Sequence, residues 1–357
     1  MRVCFFLGSV TGSGGTERVC LSLANALSRS GYEVCLVSLW GATPFFEIDR
    51  DIPIKVLYPV KKTFKLRYPQ VVYRWRKALK ELNPQVVIDV ESTLCLYTAC
   101  ARRGLQIQHI VWEHFNFTVD LGLKIRRLSR VVAAKYAHKV VVLTQKDAEM
   151  WKNAIKLRAD IKVIPNPVTQ EIASADVSPL NEKCVLAVGR LTYQKGFDLL
   201  LTAWSQIALK ASGWELVIIG DGEDREALVQ QCHELGLAKT VRFVPTTRNI
   251  RQFYKQASIF CLSSRFEGLP MVLLEAQSFG LPAVSFDCPT GPDEIIKHGV
   301  NGLLVEPGNV NALAEALLAL IHDQSKRTAM QKEALSVISR FKLETVIPQW
   351  RSVLARR

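Results

Sequence analysis

The chain has 357 residues, of which 48% are hydrophobic and 22% charged, and its formal net charge is +13. This composition excludes a disordered, collagen-like or coiled-coil chain, and at roughly 150 residues per domain it predicts two domains. No apolar run reaches the ~18 residues of a membrane-spanning helix. The charge is uneven: residues 1–175 hold 26 Lys/Arg against 14 Asp/Glu, and residues 176–357 hold 20 against 19. The first half either faces something anionic (lipid surface, nucleic acid or phosphorylated substrate) or carries a plain solvated basic face.

In chain order, short β-branched runs alternate with amphipathic stretches, the pattern of parallel α/β sheets. Residues 2–8 read as a first strand that runs into Gly8-Ser9. This is not a signal peptide, so a cytoplasmic location is expected. Further strands are expected at 33–39, 54–58, 85–90, 108–112 and 139–143, with helices at 16–30, 70–82 and 145–153. Ile161–Val168 leads into the polar stretch 169–183, read as an interdomain linker. The pattern then restarts. Strands are expected at 184–189, 214–219, 241–244, 258–263, 281–286 and 302–305. Helices are expected at 196–211, 224–235, from Pro270, at 310–322 and at 343–357. Two doubly wound domains follow, with the site expected in a cleft at the carboxyl ends of the strands. The nine cysteines are odd in number, lack a CxxC pair and lie mostly in apolar runs, so free buried thiols are expected and no metal site.

Four constellations could carry chemistry. Gly12-Ser13-Gly14-Gly15-Thr16-Glu17 follows the first strand and opens a helix, where backbone can approach an anion. It is not GxGxxG, and no acidic ribose reader follows, which argues against a nicotinamide oxidoreductase. Gly189-Arg190-Leu191-Thr192-Tyr193-Gln194-Lys195-Gly196 puts two cations in a Gly-flanked loop, suited to a diphosphate. Ser264–Ala276 places Glu267 before a helix, Pro270 at its first turn and Glu275 in its second. The free amides near 269–272 suit an anion, and the carboxylates suit sugar hydroxyls. Trp112-Glu113-His114 ends a strand and puts a histidine in reach of substrate. Each feature also has a structural reading: a tight turn, solvated loop cations, a surface helical Glu, a core His.

Together these residues resemble a family-four retaining glycosyltransferase of the GT-B fold, of the group 1 kind in bacterial surface-polysaccharide assembly. The resemblance spans nearly the whole chain. It rests on Gly14-Gly15-Thr16-Glu17-Arg18, Glu113-His114, Ile164-Pro165-Asn166-Pro167, Gly189-Arg190 to Lys195-Gly196, Gly220-Asp221-Gly222, Glu267 and Glu275 at E-x7-E spacing, and Thr290-Gly291-Pro292. It implies two Rossmann-like α/β domains facing across a cleft. These are an acceptor- and membrane-facing domain at 1–168, a linker at 169–183 and a nucleotide-sugar domain at 184–340. A last helix at 341–357 would pack back on the first domain.

The resemblance also implies roles. Arg190 and Lys195 would hold the donor diphosphate, and Glu275 the ribose. Glu267 would take the sugar, with the backbone of Gly268, Leu269, Pro270 and Met271 against phosphate and sugar. Val244 and Pro245 would meet the base. Gly15 would let its loop close over the diphosphate, and His114 would touch the transferred sugar. The implied donor is a nucleoside-diphosphate sugar, UDP ahead of GDP, carrying a hexose or N-acetylhexosamine. The implied acceptor is a lipid-linked or lipopolysaccharide-type oligosaccharide. Neither a cofactor nor a metal is called for, because Arg, Lys and helix N-termini meet the leaving charge. Asp49-Arg50-Asp51 reads as surface. No enzymic nucleophile is evident, which points to same-face attack by the acceptor hydroxyl.

Two basic, aromatic-rich stretches, Lys61–Lys77 and Leu121–Lys139, suit an anionic membrane face. The protein is expected to be peripheral on the inner face of the cytoplasmic membrane, as a monomer or weak oligomer, and not to bind nucleic acid. A sugar-nucleotide epimerase or hydrolase of the same fold is the alternative.

Overall fold

Val3–Phe6 is apolar at every position and fully buried, as a strand covered on both faces must be. The same reading holds for the other central strands, and the result is two parallel sheets. The computed structural model describes residues 1–12, 14–60, 68–169 and 176–355. The chain divides into two units, Met1–Thr169 with Leu343–Arg357, and Gln170–Lys342.

Unit 1 runs β1 (Arg2–Ser9), α1 (Gly15–Arg29), β2 (Glu33–Trp40), β3 (Ile54–Tyr58), α2 (Tyr68–Leu82), β4 (Val86–Val90), α3 (Cys95–Ala101), β5 (Gln108–Trp112), α4 (Lys124–Tyr136), β6 (Lys139–Val142), α5 (Gln145–Ala154) and β7 (Asp160–Val163). Its strand order among the described residues is β3-β2-β1-β4-β5-β6-β7. Unit 2 runs β8 (Cys184–Val188), α6 (Phe197–Ile207), β9 (Glu215–Ile219), α7 (Arg225–Glu234), β10 (Val241–Val244), α8 (Ile250–Gln256), β11 (Ile259–Leu262), α9 (Met271–Ser278), β12 (Ala283–Phe286), α10 (Pro292–Ile295), β13 (Gly302–Val305), α11 (Val310–His322) and α12 (Gln324–Ile338). Its order is β10-β9-β8-β11-β12-β13. In each sheet the first strand lies inside, and the chain winds outward to one side and then to the other. That reversal creates a switch point beside β1 and β4 in unit 1, and beside β8 and β11 in unit 2. Ligands bind doubly wound sheets at such points, outside the strand carboxyl ends.

The last helix, α13 (Leu343–Leu354), belongs with unit 1. Its Trp350 is fully buried, with the ring edge on Trp112 at 4.9 Å. Gln108 Nε2 and Lys139 Nζ donate to the Val353 carbonyl at 3.1 and 2.6 Å. The helix tolerates Pro348 in its interior, where a proline forfeits one backbone bond and crowds the preceding turn. Burial of Val346, Ile347 and Trp350 on one face offsets that cost.

The expected strands recur within one or two residues. The helices α3, α4, α8, α10 and α12 go beyond the expected set. In α12 the inward stripe is Arg327, Met330, Ala334 and Ile338. A buried arginine stands where the helical apolar pattern calls for a hydrophobe. Arg327 NH1 donates to the Leu320 and Ile321 carbonyls at 2.6 and 3.0 Å, and the guanidinium lies over Trp214. Pro270 is not in the first helical turn. It is the N-cap residue, and Met271 opens the helix. All nine cysteines are free, and eight of them are buried.

The two basic stretches use part of their charge inside the fold. Residues 61–67 lie outside the described residues. In α2, Trp75 is core, stacked on Phe6 at 4.3 Å. Arg74 and Arg76 donate to the Leu57 and Ala101 carbonyls, each at 2.7 Å. In α4, Arg126 and Arg130 point inward. Those four cations make hydrogen bonds or ion pairs within the fold, while Lys77, Lys124, Arg127 and Lys135 are exposed.

Candidate active site

The loops that follow β8 and β11 meet at the switch point of unit 2. After β8 the chain makes one 3-10 turn, Tyr193–Lys195, and reaches Gly196 in the left-handed region at φ +61°. A Cβ on Gly196 would lie 2.1 Å from the Ser263 carbonyl oxygen, so only glycine permits this approach. Ser263 Oγ donates to the Lys195 carbonyl at 2.9 Å, and the Arg265 amide donates to the Gln194 carbonyl at 2.8 Å. The two loops are thus sewn together by hydrogen bonds to backbone.

That stitching brings Lys195 and Glu267 into contact across 72 residues of sequence. Lys195 Nζ donates to Glu267 Oε1 at 2.6 Å, and their side chains are only 15% and 6% exposed. Behind them, Thr290 Oγ1 donates to the Glu267 carbonyl at 2.6 Å. Gly291, at φ +101°, lets its loop close on Pro270, where a Cβ would meet Pro270 Cδ at 2.6 Å. Arg265 forks onto Asp198 at 2.8 and 2.6 Å and lies over the Tyr193 ring, which fixes the outer wall of the loop.

Leu273 and Leu274 are the first amides of α9 to find a carbonyl, that of Pro270. The amides of Met271 and Val272 therefore lie at an open helix N-terminus, which favours an anion. Gly268 and Met271 are half-buried, whereas Leu269 and Pro270 are buried. Glu275 lies one turn further in and is buried, with Leu273 and Leu274 on the core side. Tyr254 OH donates to its Oε2 at 2.9 Å. The expected sugar and ribose carboxylates are thus held by different partners: Glu267 by a lysine and Glu275 by a phenol. Arg190 follows β8 and is exposed, with no ion-pair partner among the described residues. Val244 ends β10 and accepts from the Gly220 amide at 2.9 Å, and Pro245 beside it is exposed. Asp221, flanked by Gly220 and Gly222, accepts from the Thr246 amide at 2.7 Å. That bond, with help from Arg225, holds its carboxyl below the usual range.

In unit 1, Gly15 is the first residue of α1, after the N-cap Gly14. Ser13 lies outside the described residues. The Glu17 carboxylate folds back over this loop. A Cβ on Gly12 or Gly14 would meet its oxygens at 2.6 and 2.7 Å. An anion at this helix N-terminus would compete with Glu17. His114 follows β5 and is buried, its ring against Trp112 at 4.5 Å and its Nε2 without a hydrogen-bond partner. Burial pushes its pKa down to about 3, so the imidazole is neutral at pH 7. Glu113 Oε1 accepts from the His114 and Phe115 amides at 3.0 and 3.1 Å and orders this strand end.

Sequence reasoning missed Glu91, at the end of β4 on the same switch point. Its φ of +104° is a conformation that costs a non-glycine residue ~1–3 kcal/mol. Arg126 NH2 meets its Oε1 at 2.8 Å. Burial nevertheless raises its pKa. Tyr254 was missed as well. A lone Tyr in a short helix carries no motif, and only its packing on Phe279 and Phe260 aims its hydroxyl at Glu275. Asp49, read as surface, accepts Arg29 as a fork at 2.9 and 2.7 Å. Among the described residues one trio could ligate a metal: Asp89, Cys95 and His109, with ligand atoms within 4.8 Å of one another. It lies in the core, with the Asp89 oxygens taken by Thr98 at 2.7 Å and His109 at 2.6 Å.

Known proteins resemble the chain along nearly its whole length. The family described as Glycosyltransferase Family 4 matches residues 13–171, and that described as Glycosyl transferases group 1 matches residues 168–337. An uncharacterized glycosyltransferase of Haemophilus influenzae is 34% identical over 99% of both chains. The amylovoran biosynthesis glycosyltransferase AmsD of Erwinia amylovora is 30% identical over 99% of both. The GalNAc-alpha-(1->4)-GalNAc-alpha-(1->3)-diNAcBac-PP-undecaprenol alpha-1,4-N-acetyl-D-galactosaminyltransferase of Campylobacter jejuni is 29% identical over 99% of this chain and 98% of its own. Among solved structures, the lipopolysaccharide outer core galactosyltransferase WaaB superposes with a TM-score of 0.79 at 27% identity, over 99% of both chains. Anabaena HepE in complex with UDP superposes at 0.83 with 21% identity, also over 99% of both.

Proposed function

The chain belongs to the group 1, family 4 glycosyltransferases, with the GT-B pair of doubly wound domains, and from that premise we propose a specific reaction. It moves a hexose or N-acetylhexosamine from a UDP sugar to a lipid-linked or lipopolysaccharide-type oligosaccharide, with retention and an α-linkage, in surface-polysaccharide assembly. The observation that carries the reading is the Lys195–Glu267 pair beside the N-terminus of α9 at the switch point of unit 2. The supporting likenesses are the undecaprenol-linked acceptor named for the Campylobacter relative, the lipopolysaccharide galactosyltransferase and the UDP held by HepE.

In this proposal Arg190, exposed and without an ion-pair partner among the described residues, swings onto the diphosphate. Lys195 is held in place by Glu267 and meets the leaving phosphate. The Met271 and Val272 amides add the helix N-terminus to the same charge. Electrostatic stabilisation of this kind is worth ~3–4 kcal/mol per well-placed donor. Side chains and amides meet the leaving charge, so the proposed reaction calls for no metal. Glu275 accepts ribose hydroxyls, oriented by Tyr254 OH, and the Val244-Pro245 backbone meets the base. Glu267 accepts from sugar hydroxyls while it holds Lys195. His114 stays neutral at pH 7 and serves as a hydrogen-bond partner for the sugar, not as a proton donor. Both unit 2 carboxylates are engaged, so the acceptor hydroxyl attacks on the face the nucleotide leaves. Transfer takes place at the inner face of the cytoplasmic membrane. Among the described residues no helix is long and apolar enough to cross it.

The test is a thermal-shift panel with UDP, GDP, ADP, CMP and NAD on wild type and Lys195→Ala. It is followed by product analysis with labelled UDP sugars in the presence and absence of acceptor and of EDTA. A ligand at 100 times its dissociation constant adds about 2.7 kcal/mol, several degrees in a chain of this size. A shift with UDP that Lys195→Ala loses, and acceptor-dependent product indifferent to EDTA, are expected. Sugar release or isomerisation without acceptor would make the protein a hydrolase or epimerase instead.

A further inference from the structure

Glu91 follows β4 at the switch point of unit 1, one residue beyond Val90, which pairs with Trp112 of β5. His114 stands two residues past Trp112, so Glu91 and His114 extend from adjacent strand ends. The Glu91 backbone is pinned on both sides. Its amide donates to the Trp112 carbonyl at 2.9 Å, and its carbonyl accepts from the Leu94 amide at 3.2 Å across the 3-10 turn Ser92–Leu94. Between these bonds φ is +104° and ψ is 138°, a backbone that glycine adopts freely and glutamate only under strain.

The ion pair with Arg126 does not account for that strain. Arg126 NH2 meets Oε1 at 2.8 Å, and Thr93 Oγ1 donates to the same oxygen at 3.2 Å. Oε2 has no partner among the described residues, and the Glu91 side chain is 26% exposed. Arg126 itself lies over Phe115 at 4.3 Å and keeps Nε and NH1 buried without a hydrogen-bond partner. A pair built for stability satisfies its donors. Burial raises the Glu91 pKa, Glu113 and Glu17 raise it further, and Arg126 and Thr93 oppose them only in part. The fold thus holds one open carboxylate oxygen at the carboxyl edge of its sheet against strain, desolvation and like charge. That oxygen can only accept a hydrogen bond. Glu17 and Glu113 disfavour a phosphate there, and Arg126 disfavours a cation. A neutral donor remains, and a sugar hydroxyl is one.

We propose that Glu91 reads the acceptor: its Oε2 accepts a hydrogen bond from a hydroxyl of the acceptor's terminal sugar and positions that sugar, while Arg126 and Thr93 hold the carboxylate in place through Oε1. The inference deepens the transferase reading and rests on it, since that reading assigns the donor's phosphates and ribose to unit 2. His114 takes the transferred sugar in the same reading, so the adjacent ends of β4 and β5 receive the two sugars to be joined. No covalent bond forms or breaks at Glu91. It fixes orientation, on which the rate of a two-substrate reaction depends.

The experiment follows transfer from a labelled UDP sugar by the full chain, with the lipid extract of cells lacking the gene as acceptor and the two substrates varied separately. Glu91→Gln removes the charge and keeps the size. It is expected to lower kcat/KM for the acceptor at least about tenfold, the scale of a hydrogen bond to a charged group. KM for the UDP sugar and the UDP thermal shift stay unchanged. Glu91→Gln alone leaves Arg126 as a buried unpaired charge, so Glu91→Gln with Arg126→Gln is measured beside it and shows the same acceptor defect. Arg126→Gln alone keeps the carboxylate and loses less. Acceptor kinetics unchanged in both Glu91 variants overturn the proposal and leave the transferase reading intact. A loss shared evenly by donor and acceptor, or as large in Arg126→Gln as in Glu91→Gln, makes the pair structural and overturns it too. A wild type that transfers nothing to the extract overturns the transferase reading and this inference with it.

Discussion

Units 1 and 2 share a topology and reverse strand order at the same kind of place, yet they furnish that place differently. In unit 2 the switch point pairs its charges: Lys195 with Glu267, Arg265 with Asp198, Tyr254 with Glu275. In unit 1 the corresponding edge also pairs one charge, Glu91 with Arg126, but beside it stand a neutral buried His114 with an unpartnered Nε2 and Glu17 lying over the glycine loop. The Lys195–Glu267 pair keeps its cation in place, ready for an incoming diphosphate to join it. A buried imidazole nitrogen without a partner, such as His114 Nε2, waits for a hydrogen bond rather than for a charge. The contrast fits a domain that grips an anion and one that reads hydroxyls.

The largest expected effect sharpens this contrast through pH. His114 has a folded pKa of about 3 against 6.5 unfolded, so the unfolded chain binds the proton first as pH falls. Its contribution is intact above pH 6.5 and is lost progressively down to about 3, reaching ~4 kcal/mol at the acid end. Denaturant unfolding against pH should show wild type losing stability relative to His114→Gln below pH 6.5. Parallel curves would mean the imidazole is solvated.

Lys195→Ala should lower kcat by 10²–10³-fold, about 3–4 kcal/mol, and abolish the UDP thermal shift. Arg190→Ala should lower activity with no change in melting temperature, since the exposed side chain has no ion-pair partner among the described residues. If Arg190→Ala melts early, that arginine is structural and the contrast between the units weakens. Gly196→Ala tests the stitch between the two loops. The left-handed backbone and the Ser263 carbonyl should together cost at least ~2 kcal/mol of stability in chemical denaturation. Tyr254→Phe should be the mildest. Losing one hydrogen bond to Glu275 costs about 1 kcal/mol, read as a severalfold rise in the UDP dissociation constant by calorimetry.

Much of the site is legible in the amino-acid sequence, because its elements are local. Gly196 and Gly291 announce backbone that other residues cannot adopt, and Pro270 marks a helix start to within one residue. The partnerships are not legible there. Glu267 reads as a sugar ligand and Lys195 as a phosphate ligand, with no sign that they hold each other. Tyr254 and Glu91 carry no motif at all.

The alternation of β-branched runs with amphipathic stretches determined the two sheets, since periodicity and Gly/Pro punctuation act over a few residues. The inside and outside of α4 could not be decided that way. A helix with Ile125, Leu128 and Val131 on one side and Arg126 and Arg130 on the other is symmetric to pattern reading, and burying the apolar side is the default. Only the tertiary structure supplies Glu91 and the loop carbonyls of residues 116 and 117 that offset the desolvation of Arg126 and Arg130. With those cations satisfied inside, Ile125, Leu128 and Val131 are left facing out.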